Sequence, residues 1–178
     1  MVSPLNYRII FLLVNGFLLP MAHATSTILE EVCHKVVDID FCLNVFGSDP
    51  ATRTASLPQL GQLAIAKATD KASTTRTDIK ARSFFATDPK IRDLLNQCVH
   101  EYDDALVLIR MAAVDLKKAR YAFVYQHASG AAREVFACEQ GFIDKSVPSP
   151  LTRANLQLRD YCNIIEVIAN FSDHEKTK

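Results

Sequence analysis

An all-α fold is predicted by three features of the 178-residue sequence. Apolar residues recur at three- and four-residue steps over long stretches, the period of a core-facing helix. Alternating strand patterns of useful length do not occur. The chain has five Gly and no Trp but much Ala and Leu, a composition suited to helices. The long stretches are joined by short connections, which makes successive helices antiparallel neighbours. The predicted architecture is an up-down-up-down four-helix bundle, preceded by an N-terminal helical hairpin and stapled by disulfides.

Residues 1–24 read MVSPLNYRIIFLLVNGFLLPMAHA. Arg8 is the only charge, an apolar run follows from Ile9 to Leu19, and Ala22-His23-Ala24 has the small-x-small form of a cleavage site. This is the pattern of a secretory signal peptide, with cleavage expected after Ala24. The run is too short to span ~30 Å of hydrocarbon, which takes ~20 apolar residues. The expectation is an exported chain, off the membrane once cleaved, with one domain over residues 25–172 and a tail over 173–178. Lys plus Arg and Asp plus Glu number 20 each. That balance gives no basic field for nucleic acid or anionic lipid.

Thr27 to Val36 and Ile39 to Phe46 are short helical patterns. Cys33 and Cys42, nine apart, would lie ~13 Å apart on one unbroken helix, and a disulfide needs Cα atoms within ~7 Å. If they pair, the chain must reverse at Val37-Asp38 into a closed hairpin. Gly47-Ser48-Asp49-Pro50 then forms a turn. Ser56, with Gln59 three residues on and Pro58 in the first turn, opens the first long helix. Leu57, Leu60, Ala64, Ala68 and Ala72 form its stripe, and it runs to Phe84-Phe85. Asp88 and Pro89 cap and start the next. Its stripe is the longest: Ile91, Leu94, Leu95, Cys98, Tyr102, Ala105, Leu106, Ile109, Ala113 and Leu116, followed by basic residues Lys117 to Arg120.

The third bundle helix is expected from about Ala122 to Phe142, on Val124, His127, Ala131, Val135, Cys138 and Phe142, with Gly141 helping to end it. Ser149 is read as the cap of the last helix and Pro150 as its first residue. Leu151, Leu158, Cys162, Ile165 and Ala169 form the final stripe. Asn170-Phe171-Ser172 is the only N-glycosylation sequon, and Asn170 is expected to carry glycan at most in part.

Export makes disulfides the default reading of the five cysteines, but five is odd, so at least one thiol is free or pairs with another chain. Cys98 and Cys138 sit on stripes of antiparallel neighbours and can meet. The alternative is two buried free thiols. If they bridge, Cys162 remains as a buried small hydrophobe. A nucleophilic role for Cys98 needs a facing base, and His100, two residues on, points to another side of the helix. His100-Glu101 does not begin H-E-x-x-H, because Asp104 stands at the second histidine position. No C-x-x-C or G-x-S-x-G occurs. Catalytic residues, cofactors and metal are therefore not expected, and the carboxylates Glu101, Asp103 and Asp104 read first as a solvated acidic face.

Several of these pieces, in order, carry a resemblance. They are the pair Cys33 and Cys42; Leu95, Cys98, Tyr102 and Ala105 in the pattern L-x-x-C-x-x-x-Y-x-x-A; the run Ala128-Ser129-Gly130-Ala131 leading to Cys138-Glu139 and Gly141-Phe142; and the closing helix from Leu156 to Asn170. With a signal peptide and matching length, the chain resembles the plant inhibitors of pectin methylesterase and acid invertase over essentially its whole mature part. The resemblance implies a four-helix bundle with an N-terminal hairpin. It also implies pairing of Cys33 with Cys42 and of Cys98 with Cys138, and a free Cys162.

It further implies a secreted inhibitor that blocks the substrate cleft of pectin methylesterase, as a monomer in a 1:1 complex. Acid invertase is the alternative target, and the vacuole the alternative to the cell wall. The implied contact residues are His100, Glu101, Asp104 and Val107 on the second bundle helix, and Phe123 and Ala137 on the third. Asp104 matches the family's acidic position. Tyr121-Ala122-Phe123 stands where invertase inhibitors carry Pro-Lys-Phe, and Ala137 where pectin methylesterase inhibitors carry threonine. His100 stands where an acidic residue is common, and histidine is the side-chain type whose charge change falls nearest the acidic range of the cell wall. A carrier of a small hydrophobic ligand inside the bundle is the reading from another class.

Overall fold

The computed structural model describes residues 27–47 and 50–176. The expected signal peptide and part of the Gly47–Pro50 turn lie outside the described residues. Six α-helices and one 3-10 turn follow in order: α1 (Ile28–Cys33), α2 (Ile39–Phe46), the turn Pro50–Thr54, α3 (Leu57–Phe85), α4 (Pro89–Lys117), α5 (Tyr121–Asp144) and α6 (Thr152–Lys176). Among the described residues there is no strand, and no helix is long and apolar enough to cross a membrane. Each long helix packs on the next, and α3 also packs on α6, which closes the four-helix bundle.

The hairpin comes first. Thr27 caps α1 through its hydroxyl, which accepts from Glu30 N at 3.2 Å, while Glu30 Oε2 accepts from Thr27 N at 2.8 Å. The helix stops at Cys33, three residues short of the expected Val36. Asp38 starts α2 by accepting from Phe41 N at 2.8 Å, and the chain must turn before that cap. Cys33 and Cys42 are joined, with Cα atoms 5.5 Å apart. Leu29, Val32 and Phe46 bury against Leu60, Ile164 and Ile168 of the bundle.

The sequence stripes of α3 to α6 form one core, except that Ile91 and Ala113 sit at its margin and His127 lies outside it, with Ala112 and Ala128 buried instead. In α3 the buried positions are mostly small, and Gly61 marks a close approach. A Cβ there would lie 3.0 Å from Leu116 Cδ2 and 3.4 Å from Ile168 Cγ2, so any larger residue would push α4 and α6 away. Gln59 Oε1 accepts Ser56 N at 2.8 Å, and Asp88 accepts Lys90 N at 2.8 Å. These bonds fix the two expected starts.

Two further boundaries differ from the sequence reading. Helix α5 passes through Gly141 to Asp144, because Gly141 keeps a negative φ rather than the left-handed conformation that ends a helix, and a Cβ there would meet Gln97 and Leu94 of α4. Helix α6 begins at Thr152, not Pro150. Ser149 Oγ accepts from Leu151 N at 3.2 Å, in a turn before the helix, and donates to Glu139 Oε2 at 2.9 Å. Glu139 of α5 also accepts from Thr152 Oγ1 at 2.5 Å and Asn155 Nδ2 at 2.6 Å. A carboxylate placed against the first turn of α6 favours its dipole.

Candidate interaction face

The antiparallel register of α4 and α5 builds one outward face. Gly141 lies opposite Gln97, and Cys138 is joined to Cys98 with Cα atoms 4.7 Å apart. Glu134 meets Glu101 and Asp104, a Cβ on Gly130 would come within 3.1 Å of Leu108 Cδ1, and His127 reaches Asp115. The small residue at 130 lets the two helices approach closely. The disulfide fixes the pair behind the face.

At its centre, one carboxylate oxygen from each of Glu101, Asp104 and Glu134 lies within 4.8 Å of the others. Burial holds the Glu134 carboxyl above its ordinary range. Hydrogen bonding to Glu101 and repulsion from Glu101 and Asp104 push the same way, and Arg133 opposes them. Three oxygen donors on an open surface fall short of the six to eight that calcium takes, so the arrangement is a charged surface rather than a metal cage. Asp103 is not part of it. It turns to α3, where Arg76 Nη2 donates to its Oδ2 at 2.9 Å and holds its carboxyl below the ordinary range.

Toward the α4–α5 turn the face becomes apolar. Val107, Met111 and Val114 are exposed and line a groove of about 270 Å³ with Arg110, Asp115 and Arg120. Asp115 is buried near the C-terminus of α4, an unfavourable place for a carboxylate. It is compensated by Arg120, and His127 Nε2 lies 3.1 Å away. The Arg120 guanidinium also sits 5.6 Å from the centre of the Phe123 ring, which is 50% exposed. Tyr121 is buried.

Of the residues singled out from sequence, His100 is exposed beside Glu101, and Asp104 is exposed within the carboxylate cluster. Val107 and Phe123 flank the apolar end, and Ala137 is half-buried one residue from the disulfide. Cys162 is buried and unbridged. Asn170 is exposed on α6, while Ser172 of its sequon is buried and donates to Ile168 O at 2.9 Å. Sequence reasoning missed Glu134 and Asp115. Glu134 borders the α5 stripe one residue before Val135, so its position at the helix seam was the available signal.

The family model described as plant invertase/pectin methylesterase inhibitor matches residues 27–168. The chain belongs to this family. It is 31% identical over 170 residues to a pectinesterase inhibitor of Actinidia deliciosa, covering 95% of this chain and 86% of the relative. It is equally 31% identical over 170 residues to a putative invertase inhibitor of Platanus acerifolia, covering 92% and 93%. The crystal structure of a mutant form of a pectin methylesterase inhibitor from Arabidopsis superposes with a TM-score of 0.72 at 22% identity, covering 82% of this chain and 97% of the other. At that identity it shows the shared bundle. Family members are inhibitors rather than catalysts, and overall identity does not rank the two targets.

Proposed function

We propose that this chain is an exported inhibitor of plant pectin methylesterase. On this reading it acts as a monomer in a 1:1 complex and lays the α4/α5 face across the enzyme's substrate cleft. The signal-peptide pattern and two disulfides support export to the cell wall, with the vacuole as the alternative. The observation that carries the choice of target is the start of α5. Tyr121 is buried and Ala122 has no charge, so the Pro-Lys-Phe feature of invertase inhibitors is reduced to Phe123. The acidic position Asp104 is present and exposed.

His100, Glu101, Asp104, Val107, Phe123 and Ala137 are the proposed contact residues, with Glu134 added. They stand on two helices locked by the Cys98–Cys138 bridge. A rigid face loses little freedom on docking, which favours affinity. One observation favours acid invertase as the second reading: Arg120 places a cation 5.6 Å from the Phe123 ring. The hydrophobic-carrier reading needs a cavity inside the bundle, and the space where the hairpin meets it, lined by Leu29, Phe46, Leu60 and Ile168, offers none, with no room for a water-sized sphere. The deciding experiment measures inhibition of plant pectin methylesterase and plant acid invertase side by side. Inhibition of invertase alone would overturn the choice.

A further inference from the structure

A second surface lies between the hairpin and α6. Val37, at the tip of the hairpin, is 86% exposed. With Ile39 and Leu156 it forms the apolar floor of a groove of about 610 Å³, and the groove continues past Asn163 to Ala132 of α5. The hairpin tip is held in place. The Cys33–Cys42 bridge closes it, Val37 N donates to Asn163 Oδ1 at 2.8 Å, and the rings of Phe41 and Tyr161 meet edge-on at 4.9 Å. An exposed aliphatic side chain on so rigid a post is already in position for a partner, because little order is left to impose on binding.

The rim of the groove is acidic. Asp38, Asp40 and Asp160 line it, with Glu166 further along and Arg159 as the one cation among the lining residues. Arg159 lies over the Phe136 ring, 5.6 Å from its centre. Asp38 and Glu166 are already engaged, Asp38 capping α2 and Glu166 accepting from Asn163 Nδ2 at 3.3 Å. Asp160 is half-buried. Burial first, and then the Asp38 charge, hold its carboxyl above the ordinary range, against the pull of Arg159. A carboxylate in that position gains from a cation brought to it.

We infer that this groove is a second docking surface, separate from the α4/α5 face, for a segment of a partner protein in which an aliphatic or aromatic anchor is flanked by lysine or arginine. The anchor packs on Val37, Ile39 and Leu156. The flanking cations meet Asp160 and Asp40. The inference does not depend on which enzyme the α4/α5 face binds.

The test uses the mature, disulfide-bonded chain and a fluorescein-labelled peptide of alternating leucine and lysine, with a glutamate-for-lysine peptide as counterpart. The expected result is saturable binding of the lysine peptide only, weakened about tenfold by Asp160→Asn and by Val37→Ser. Binding should fall as salt rises from about 0.05 to 0.3 M and be unchanged by Asp104→Asn. Unfolding temperatures of the variants confirm that each is folded. Loss of binding in Asp104→Asn but not Asp160→Asn would move the peptide to the carboxylate cluster and overturn the assignment. Absence of lysine-peptide binding, with sedimentation showing self-association abolished by Val37→Ser, would make a second copy the occupant and also overturn it. No binding and no self-association would overturn it outright. Inhibition assays on Asp160→Asn separate this outcome from a failure of the inhibitor reading, because that variant leaves the α4/α5 face intact.

Discussion

Tyr102 on α4 donates its phenolic hydrogen to Asn155 Oδ1 on α6 at 2.8 Å, with both side chains buried. Asn155 passes the chain of bonds on through its Nδ2 to Glu139 of α5. Three helices are thereby tied at one level of the core, beside the Cys98–Cys138 bridge. Tyr102→Phe keeps the ring and removes the donor, leaving a buried amide oxygen unmet. The expected cost is ~1–3 kcal/mol. For a chain of this size that lowers the unfolding temperature by about 2–4 °C per kcal/mol. An unfolding temperature within about 1 °C of the parent's, equivalent to less than ~0.5 kcal/mol, would show that water or another donor replaces the hydroxyl.

The two disulfides should contribute unequally. Cys98–Cys138 closes a separation of 40 residues and Cys33–Cys42 one of nine. Loop entropy gives ~4 kcal/mol for the first and ~2.5 for the second. Denaturant titration of the paired variants Cys98→Ala/Cys138→Ala and Cys33→Ala/Cys42→Ala checks the order. Equal losses would mean that core packing, rather than chain restriction, dominates.

The helices of the bundle were legible because each repeats one decision, apolar or not, at a fixed period. Cys98, Tyr102 and Ile109 sit where their spacing puts them. The residues that escaped are those decided by a neighbour distant in sequence. Asp115 draws no reading from the sequence; Arg120 lies just past the helix end, and the fold adds His127 from the next helix. Glu134 joins Glu101 and Asp104 through the α4–α5 register, which no local pattern displays. The early stop of α1 follows from the cap at Asp38 and from the reversal of the chain between Cys33 and Cys42.

Cys162 is buried, and burial followed by the nearby Glu166 charge pushes its thiol up to about 12. The thiolate is the reactive form. In the folded chain at pH 8, Cys162 should therefore resist iodoacetamide for hours and react within minutes once denaturant is added. Mass spectrometry of the alkylated chain reads this directly. Rapid native labelling would show that the core opens around α6 far more often than the packing suggests.

Ala119 closes α4 with φ 52°, the left-handed region. Arg120 N reaches back to Asp115 O at 3.0 Å and Ala119 N to Leu116 O at 3.0 Å, the bonds of a helix C-terminal motif that favours glycine. The strained Cβ costs ~1–2 kcal/mol, while glycine costs ~0.4–1 kcal/mol by loosening the unfolded chain. Strain relief therefore matches or outweighs the added chain freedom, and Ala119→Gly is expected to stabilise by about 0–1.6 kcal/mol. Ala81→Gly, on an exposed turn inside α3, should destabilise by about 1 kcal/mol. If thermal unfolding moves both variants down together, the backbone strain at residue 119 is smaller than the cost of loosening the unfolded chain.

Glu134 gives the proposed contact face a pH dependence whose sign can be worked out. Its carboxyl is raised in the folded chain by burial and by its contact with Glu101, with Asp104 adding to the repulsion. The folded state therefore holds this proton to higher pH than the unfolded state does. Between the two pKa values the folded chain binds more protons, so this residue's contribution to stability declines as pH rises through that window, from the ordinary carboxylate range upward. Below the window the protonated group is tolerated in both states; above it the folded chain must carry a third negative charge in the cluster. Glu134→Gln keeps the shape and removes the charge. It should raise the unfolding temperature at pH 7 and change it little at pH 3.5. Asp104→Asn removes a neighbour of the same sign and should show the same trend more weakly. The measurement is thermal unfolding of the parent and both variants across that range at fixed salt. A gain at pH 3.5 as large as at pH 7 would show that packing of the amide, not relief of charge, causes the change. A loss at pH 7 would show that Arg133 already neutralises the cluster, and the face presented to a target enzyme would then be less acidic than its three carboxylates imply.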